Sequence, residues 1–184
     1  MADFRKKKLM YVFHVFFDVN RSGTIDKKDF EMAIEKICRS RGWPEGSAEQ
    51  QKTRGALLEV WQALQQRADA DSDGEVSEAE WIQMWDDFAK GGDSALHWQS
   101  RYRDFMFQHV DASGDGSIDL DEFVKVYTSY GISADECKNA FSKFTNNQTV
   151  KVTPQVFEKL WSEFCSSTDP QAPGNFIFGK TSFD

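Results

Sequence analysis

Three segments of the chain place oxygen-bearing side chains at the same alternating positions of a twelve-residue stretch. Asp, Asn, Ser, Thr or Glu occupies positions 1, 3, 5, 7 and 12 of each. Calcium takes six to eight oxygen ligands from this spacing, and the seventh residue contributes its backbone carbonyl. The pattern predicts three calcium sites, here called sites one, two and three. Their candidate ligands are Asp18, Asn20, Ser22, Thr24 and Asp29; Asp69, Asp71, Asp73, Glu75 and Glu80; and Asp111, Ser113, Asp115, Ser117 and Glu122.

Positions 6 and 8 of the segments also fit a calcium loop. Position 6 is a glycine, which adopts the positive φ of a sharp turn at little cost. Position 8 is apolar, and we expect these residues to pair between loops as short two-stranded bridges. Three such matches are not plausibly accidental and indicate the EF-hand, a helix-loop-helix unit. The glycines are Gly23, Gly74 and Gly116, and the apolar residues are Ile25, Val76 and Ile118.

The three predicted sites differ in charge and in reach. Direct carboxylates number four at site two, three at site three and two at site one. The twelfth residue of site one is Asp29, which is one methylene shorter than glutamate. A shorter arm reaches an ion with one oxygen more readily than with two, which favours the six-fold coordination that magnesium demands. We therefore expect magnesium to be tolerated best at site one.

A fourth segment, residues 145–156, has the spacing of a calcium loop without its ligands. Valine stands at positions 6 and 12, no carboxylate is present, and Lys151 adds a positive charge. We expect no calcium here. Because Phe141, Val152 and Phe157 keep the apolar pattern, the unit is expected to serve as the packing partner of the third.

Apolar residues recur at helical spacing on both sides of each loop. This periodicity predicts an all-α fold of four EF-hand units in two pairs, packed into one compact body with short β bridges between paired loops. The expected divisions are an N-terminal pair (1–92), a C-terminal pair (93–169) and a docking tail (170–184), with a break at Gly91-Gly92-Asp93. The predicted helices lie near residues 4–17, 27–40, 48–67, 78–90, 95–109, 120–130, 134–143 and 154–165.

The tail combines an apolar triplet with a phosphate-loop formula. Residues 174–181 match G-x-x-x-x-G-K-[ST], which binds phosphate only between a strand and a helix. Too few residues follow to form that helix, and residues 176–178 are bulky and apolar. A packed tail is the favoured interpretation, and a GTP-binding, calcium-regulated switch is the alternative.

Composition excludes several classes of function. A net charge of −8 and a pI near 4.9 disfavour binding to nucleic acid. No apolar run suggests a membrane span, and no lipid-anchor signal is present. Three cysteines without zinc spacing, together with the lack of a secretory signal, favour a cytoplasmic protein with reduced thiols. The basic run Arg5–Lys8 is interpreted as a solvated helical turn. We find no catalytic or cofactor-binding constellation, and we expect a monomer that is not an enzyme.

Beyond the loops, the chain resembles the calexcitin and invertebrate sarcoplasmic calcium-binding protein family over nearly its whole length. The segments most similar to calexcitin are 37–47 (ICRSRGWPEGS), 67–71 (RADAD), 130–132 (YGI) and 174–179 (GNFIFG). The resemblance implies a helical cytosolic protein of muscle or neurons with sites one to three occupied. It also implies signalling to potassium channels or calcium-release machinery, and guanine-nucleotide binding. Buffering and signalling both remain open, although the five methionines do not cluster as a sensor's groove would require.

Overall fold

The structure is a computed structural model that describes residues 3–91 and 97–184. The described residues form eight α-helices, which confirms the predicted all-α architecture. The expected glycine break and the start of the fifth helix lie partly outside the described residues. The helices are α1 Asp3–Val12, α2 Lys27–Arg41, α3 Ala48–Ala68, α4 Glu78–Ala89, α5 His97–Val110, α6 Leu120–Thr128, α7 Ala134–Phe144 and α8 Pro154–Ser166.

The helix that leaves each loop begins at a capping residue supplied by the loop itself. Asp26, Ser77 and Asp119, each at loop position 9, accept a hydrogen bond from the backbone N–H three residues later. The side chain of that later residue, at position 12, returns the bond and completes a capping box. Thr153 caps α8 by accepting from Val156 N–H at 3.3 Å, with no return bond because the later residue is valine, and Pro154 lies in the first turn. The loop sequences therefore also determine where the exit helices start.

Short antiparallel contacts join the loops in pairs, as predicted. Strand β1 (Thr24–Ile25) pairs with β2 (Val76–Ser77), and Ile25 lies opposite Val76. In the second pair, Ile118 forms an isolated bridge with Val152, and its N–H donates to the Val152 carbonyl at 3.0 Å. The fourth loop is thus the structural partner of the third.

The first helix was predicted to run unbroken over 4–17, and its last turn is different. Residues Phe13–Phe17 form a π-helical turn, in which the Asp18 N–H donates to the Phe13 carbonyl at 2.8 Å. Phe13 and Phe17 pack on Trp81 with ring centroids 5.8 and 5.3 Å apart. Tertiary packing of this kind leaves no periodic signal in the sequence.

Contacts divide the chain into two compact units. One contains the residues up to Val12 together with Met106–Asp184, and the other is Phe13–Phe105. The first helix thus groups with the C-terminal half, whereas the sequence analysis placed it in the N-terminal pair. The proposed boundaries 1–92, 93–169 and 170–184 remain a prediction.

Each unit has an aromatic core built from the residue that follows each loop. In Phe13–Phe105, Trp81 is fully buried and lies 5.8 Å from Trp85 and 5.5 Å from Trp98. In the other unit, Phe123 stacks on Tyr127 at 4.1 Å. The pairs Trp81–Trp85 and Phe123–Tyr127 are the apolar stripe expected on the exit helices, and Trp98 packs on the first of them from α5.

The tail lies buried within its own unit. A 3₁₀ turn, Pro173–Phe176, leads into Ile177 and Phe178, which are both buried. The Phe178 ring lies 5.0 Å from Trp161 and 4.6 Å from Phe164, both on α8. Burial of this triplet accounts for an apolar segment that has no helical periodicity.

The interpretation of Arg5–Lys8 as a solvated turn is wrong at two of its four positions. Arg5 is buried and its Nε donates to the Cys165 carbonyl at 2.7 Å. Lys8 is 0% exposed, and its Nζ donates to the carbonyls of Phe164 and Ser167 and to Asn175 Oδ1 at 2.7–2.8 Å. These cations satisfy the carbonyls at the end of α8, a role that only the tertiary fold defines.

Two further sequence-based expectations concern thiols and membranes. Cys38, Cys137 and Cys165 are all buried and form no disulfide, and burial raises the pKa of Cys137 to about 11.

Within residues 3–91 and 97–184, every helix is too short or too polar to cross a bilayer.

Candidate metal centres

Site one is organised by its first and last carboxylates. Asp18 accepts hydrogen bonds from the N–H groups of Ser22 and Gly23, both at 2.9 Å. Asp29 accepts from Asn20 N–H at 3.1 Å through one oxygen and from Asp26 N–H at 2.9 Å through the other. Both carboxylates are buried, so the loop is closed at its two ends by charged acceptors.

Site two has the same framework. Asp69 accepts from the N–H groups of Asp73 and Gly74 at 3.1 and 3.0 Å. Glu80 accepts from Ala70 N–H at 2.9 Å and, through its second oxygen, from Ser77 N–H at 2.8 Å. Oxygen atoms of Asp69, Asp71 and Asp73 all lie within 4.8 Å of one another. Calcium prefers carboxylate oxygens grouped in this way.

Site three repeats the framework with fewer charges. Asp111 accepts from Gly116 N–H at 3.0 Å. Glu122 accepts from Ser113 N–H and from Asp119 N–H, each at 3.0 Å through a different oxygen. The hydroxyl of Ser113 donates to Asp111 Oδ1 at 3.3 Å, which brings positions 1 and 3 together.

The glycine N–H at position 6 donates to the carboxylate at position 1 in all three loops, and each of these glycines has φ between 86° and 91°. The carboxylate at position 12 connects the start of the loop to position 9. The backbone of each loop thus holds the predicted carboxylates at positions 1 and 12 by hydrogen bonds to N–H groups of that same loop. Positions 3, 5 and 7 are tied in less uniformly: Asp73 accepts from Glu75 N–H, Asp115 accepts from Ser117, and the Ser22 hydroxyl donates to the Thr24 carbonyl.

Three carboxylates of the first two loops have shifted pKa values. Desolvation raises the pKa of Asp29 despite its backbone hydrogen bonds. The pKa of Asp71 is also raised: the Asp73 N–H lowers it, but desolvation and the charges of Asp73, Glu80 and Asp69 outweigh that bond. Desolvation acts to raise the pKa of Glu80, but hydrogen bonds led by those from Ser77 lower it overall. Mutual repulsion at site two is the cost that a bound divalent cation would remove.

The three loops and the whole chain are similar to known calcium-binding proteins. The family model described as EF hand matches residues 16–34, 66–85 and 103–127, which contain the three predicted loops. Calexcitin-1 of Caenorhabditis elegans is 32% identical over 189 residues, covering 98% of this chain and 88% of that protein. The chain belongs to the calexcitin and sarcoplasmic calcium-binding protein family. It is a calcium-binding EF-hand protein, as the resemblance implied.

Other members and structural neighbours agree with this family. Sarcoplasmic calcium-binding proteins I, III and IV of Branchiostoma lanceolatum are 26% identical, with 98% of each chain covered. The solved structure of a sarcoplasmic calcium-binding protein from amphioxus superposes with a TM-score of 0.82 at 26% identity, covering 99% of this chain and 100% of that chain. The coelenterazine-binding protein of Renilla muelleri, at a TM-score of 0.66 and 19% identity over 98% of this chain and 99% of that chain, shares the fold alone.

The fourth loop closes without carboxylates. Thr145 is buried, its hydroxyl donates to the Phe141 carbonyl at 2.6 Å, and it accepts from Gln148 N–H at 2.9 Å. The three residues 146–148 have positive φ values of 49°, 55° and 65°. Asparagine tolerates this left-handed conformation in tight turns, and the first two loops also adopt it at Arg21 and Ser72 as well as at glycine. That this loop binds no calcium remains a prediction.

The phosphate-loop formula falls on buried structure with different partners. The N–H of Gly174 donates to Glu163 Oε2 at 2.5 Å. Thr181 donates to Glu136 Oε1 through its N–H at 2.7 Å and its hydroxyl at 2.6 Å. In a phosphate loop these groups would face phosphate and magnesium. Here they bind carboxylates, which disfavours the nucleotide alternative.

Sequence reasoning missed the capping role of loop position 9 and the reach of Asp29. The motif S/T/D-x-x-D/E at positions 9 to 12 carries the first signal, because it is a capping box before an apolar run. Asp29 contacts the same two kinds of backbone donor as Glu80 does, even though its side chain is shorter. No pattern in the sequence shows that the short side chain of Asp29 reaches the N–H groups of both Asn20 and Asp26.

Proposed function

We propose that the chain binds three calcium ions, one in each of loops 18–29, 69–80 and 111–122, and acts as a calcium buffer. The observation that carries the proposal is the shared backbone framework, in which the position 1 and position 12 carboxylates close all three loops in the same way. A preformed cage needs little reorganisation to accept an ion, and this suits tight binding.

Burial of apolar groups favours a buffer over a sensor. A sensor opens a methionine-rich groove when calcium binds. Met84 and Met106 are buried here, and among the described residues the exposed large hydrophobic side chains are Met32 at 42% and Val150 at 40%. The tail triplet already fills the surface beside α8. Such a protein has little apolar surface to offer a target helix.

A signalling role like that implied by the calexcitin resemblance is the second candidate. It is supported by the 32% identity to Calexcitin-1. In that case the target would be a channel or calcium-release protein, and the tail would have to move to expose a binding surface. Cytoplasmic location, a monomeric state and the absence of enzymatic activity belong to both candidates and remain predictions.

Hydrophobic-dye fluorescence distinguishes the two candidates. The full-length protein is titrated with calcium from the chelated state, and a variant lacking residues 170–184 serves as the positive control for exposed apolar surface. A buffer predicts a small dye signal that does not rise when calcium binds to the full-length protein. A large calcium-induced rise in the full-length protein would contradict buffering and favour the sensor.

A further inference from the structure

Loop pairing places position 7 of one loop opposite position 9 of its partner. In the β1–β2 pair, Thr24 at position 7 lies opposite Ser77 at position 9, and Ile25 lies opposite Val76. Continuing the same antiparallel register places Asp26 opposite Glu75. Site one therefore has an acidic residue from its partner loop beside its ninth position.

The second pair has the same register with the opposite charge. Ile118 pairs with Val152, both at position 8 of their loops. The next pair in an antiparallel register is Asp119 with Lys151. Both residues are exposed, so neither charge is lost to burial. By this register, Lys151 lies beside site three in the position that corresponds to Glu75 beside site one.

The bridge between Ile118 and Val152 brings Lys151 to the edge of site three. Its positive charge repels a second cation that approaches the loop. At about 7 Å in a water-like dielectric, one unit charge changes the binding constant of another about threefold, and calcium carries two charges.

We propose that Lys151 of the fourth loop lowers the calcium affinity of site three and so sets its rank among the three sites. The fourth loop then does more than complete the packing of its pair: it tunes the metal affinity of its partner through one side chain. This inference depends on the proposed assignment of calcium to site three.

Each site carries its own reporter for a nuclear magnetic resonance titration. The Gly116 N–H donates to Asp111, and the Gly23 and Gly74 N–H groups donate to Asp18 and Asp69. Calcium binding at one loop should therefore shift the amide of its own glycine, and calcium-buffered titrations give one dissociation constant per site.

The variants are Lys151→Gln, Lys151→Glu and Lys151→Arg, with Lys159→Gln as a matched control for an exposed lysine on α8. At low ionic strength, the constant reported by Gly116 is expected to tighten about sevenfold for glutamine and about fiftyfold for glutamate, because each change of one unit charge acts on the two charges of calcium. Arginine and the Lys159 variant should leave it unchanged, and the Gly23 and Gly74 constants should not move. The gains should shrink in about 0.5 M salt because screening shortens the reach of the charge.

The outcomes separate the inference from the assignment on which it rests. If the Gly116 amide reports tight calcium binding with the same constant in all four variants, the proposed effect of Lys151 is wrong. The assignment of calcium to site three is then still supported. If that amide does not respond to calcium in the unmodified protein, the assignment of site three fails first. Slow hydrogen exchange of the Ile118 amide checks that the bridge to Val152 persists in each variant, and a gain that survives high salt would contradict the electrostatic mechanism.

Discussion

At the scale of single residues, the carboxylate at loop position 12 combines two tasks. Asp29, Glu80 and Glu122 each complete the capping box of an exit helix and tie the beginning of the loop to position 9. The same group is the proposed ligand that closes the cage. Metal binding and the start of the helix are therefore joined in one side chain, which explains why a twelve-residue pattern predicts both.

Asp29 should make site one the most tolerant of magnesium. Its side chain is one methylene shorter than the glutamates at the other two sites, which accept the same kinds of backbone N–H bond, so it has less reach to offer two oxygens to one ion. In magnesium-saturated buffer, the calcium constant reported by the Gly23 amide should weaken more than those at Gly74 and Gly116. Asp29→Glu should reduce this difference, and an equal loss of affinity at all three sites would refute the argument.

Lys8 should contribute strongly to stability, while its neighbour Lys7 should not. Lys8→Met leaves three acceptors at the end of α8 and in the tail without their donor, so we expect a loss of about 2 kcal/mol in the free energy of unfolding at pH 7. Lys7→Met on the same helix removes only an exposed pair with Asp3 and should change stability by about 0.5 kcal/mol or less. Chemical denaturation measures both, and equal effects would contradict the buried role.

The same lysine predicts a pH dependence. Burial lowers the pKa of Lys8 from 10.5 to about 8, with Arg5 adding to the shift and Cys165 and Glu163 opposing it. Between those two values the unfolded chain binds the proton more tightly than the folded protein does, so stability rises with pH. The difference in unfolding free energy between the wild type and Lys8→Met should be constant below about pH 8 and grow above it. A difference that stays flat up to pH 10 would disprove the shifted pKa.

At the scale of elements, the tail and α8 meet at a glycine. A Cβ atom at Gly174 would lie 2.8 Å from Glu163 Cβ and would overlap the Leu160 carbonyl oxygen. We therefore expect Gly174→Ala to cost about 2 kcal/mol. Gly55→Ala, where a Cβ meets nothing within 4 Å inside α3, should instead be neutral or slightly stabilising. Thermal denaturation of both variants tests this, and a harmless Gly174→Ala would mean that the tail is not closely packed.

Sequence patterns located the helices and loops because both follow local rules. Apolar periodicity and the loop spacing placed the helices, whereas the capping residues that start the exit helices, such as Asp119 and Thr153, were recognised only in the structure. The path of the tail, the π turn at Phe13–Phe17 and the burial of Lys8 depend on which distant residues meet. Periodicity contains no information about those contacts, so these features had to come from the structure.

Within the candidate sites, the residue types could be predicted and their backbone partners could not. The spacing identified Asp69, Asp71 and Glu80 as candidate ligands without reference to geometry. The hydrogen bonds that orient them depend on loop closure, and the opposed positions of Lys151 and Asp119 depend on the pairing register. Register can be inferred only when the partner loop is known.

At the scale of the whole molecule, charge dominates the effect of calcium. Three calcium ions carry six positive charges against a net charge of −8. At a hundredfold excess over each dissociation constant, every bound ion adds about 2.7 kcal/mol to stability. The melting temperature should therefore fall clearly when calcium is replaced by a chelator, and identical melting curves would contradict occupied sites. Lowered pH should reproduce part of the fall, because protonated carboxylates do not bind the ion.

Calcium is proposed to occupy three loops, while the fourth loop pairs with the third and binds no ion itself. Anomalous diffraction from crystals grown with saturating calcium locates every bound ion directly. The account predicts three peaks, inside loops 18–29, 69–80 and 111–122, and none between Thr145 and Val156. An ion in the fourth loop, or no ion between Asp69 and Glu80, would contradict it.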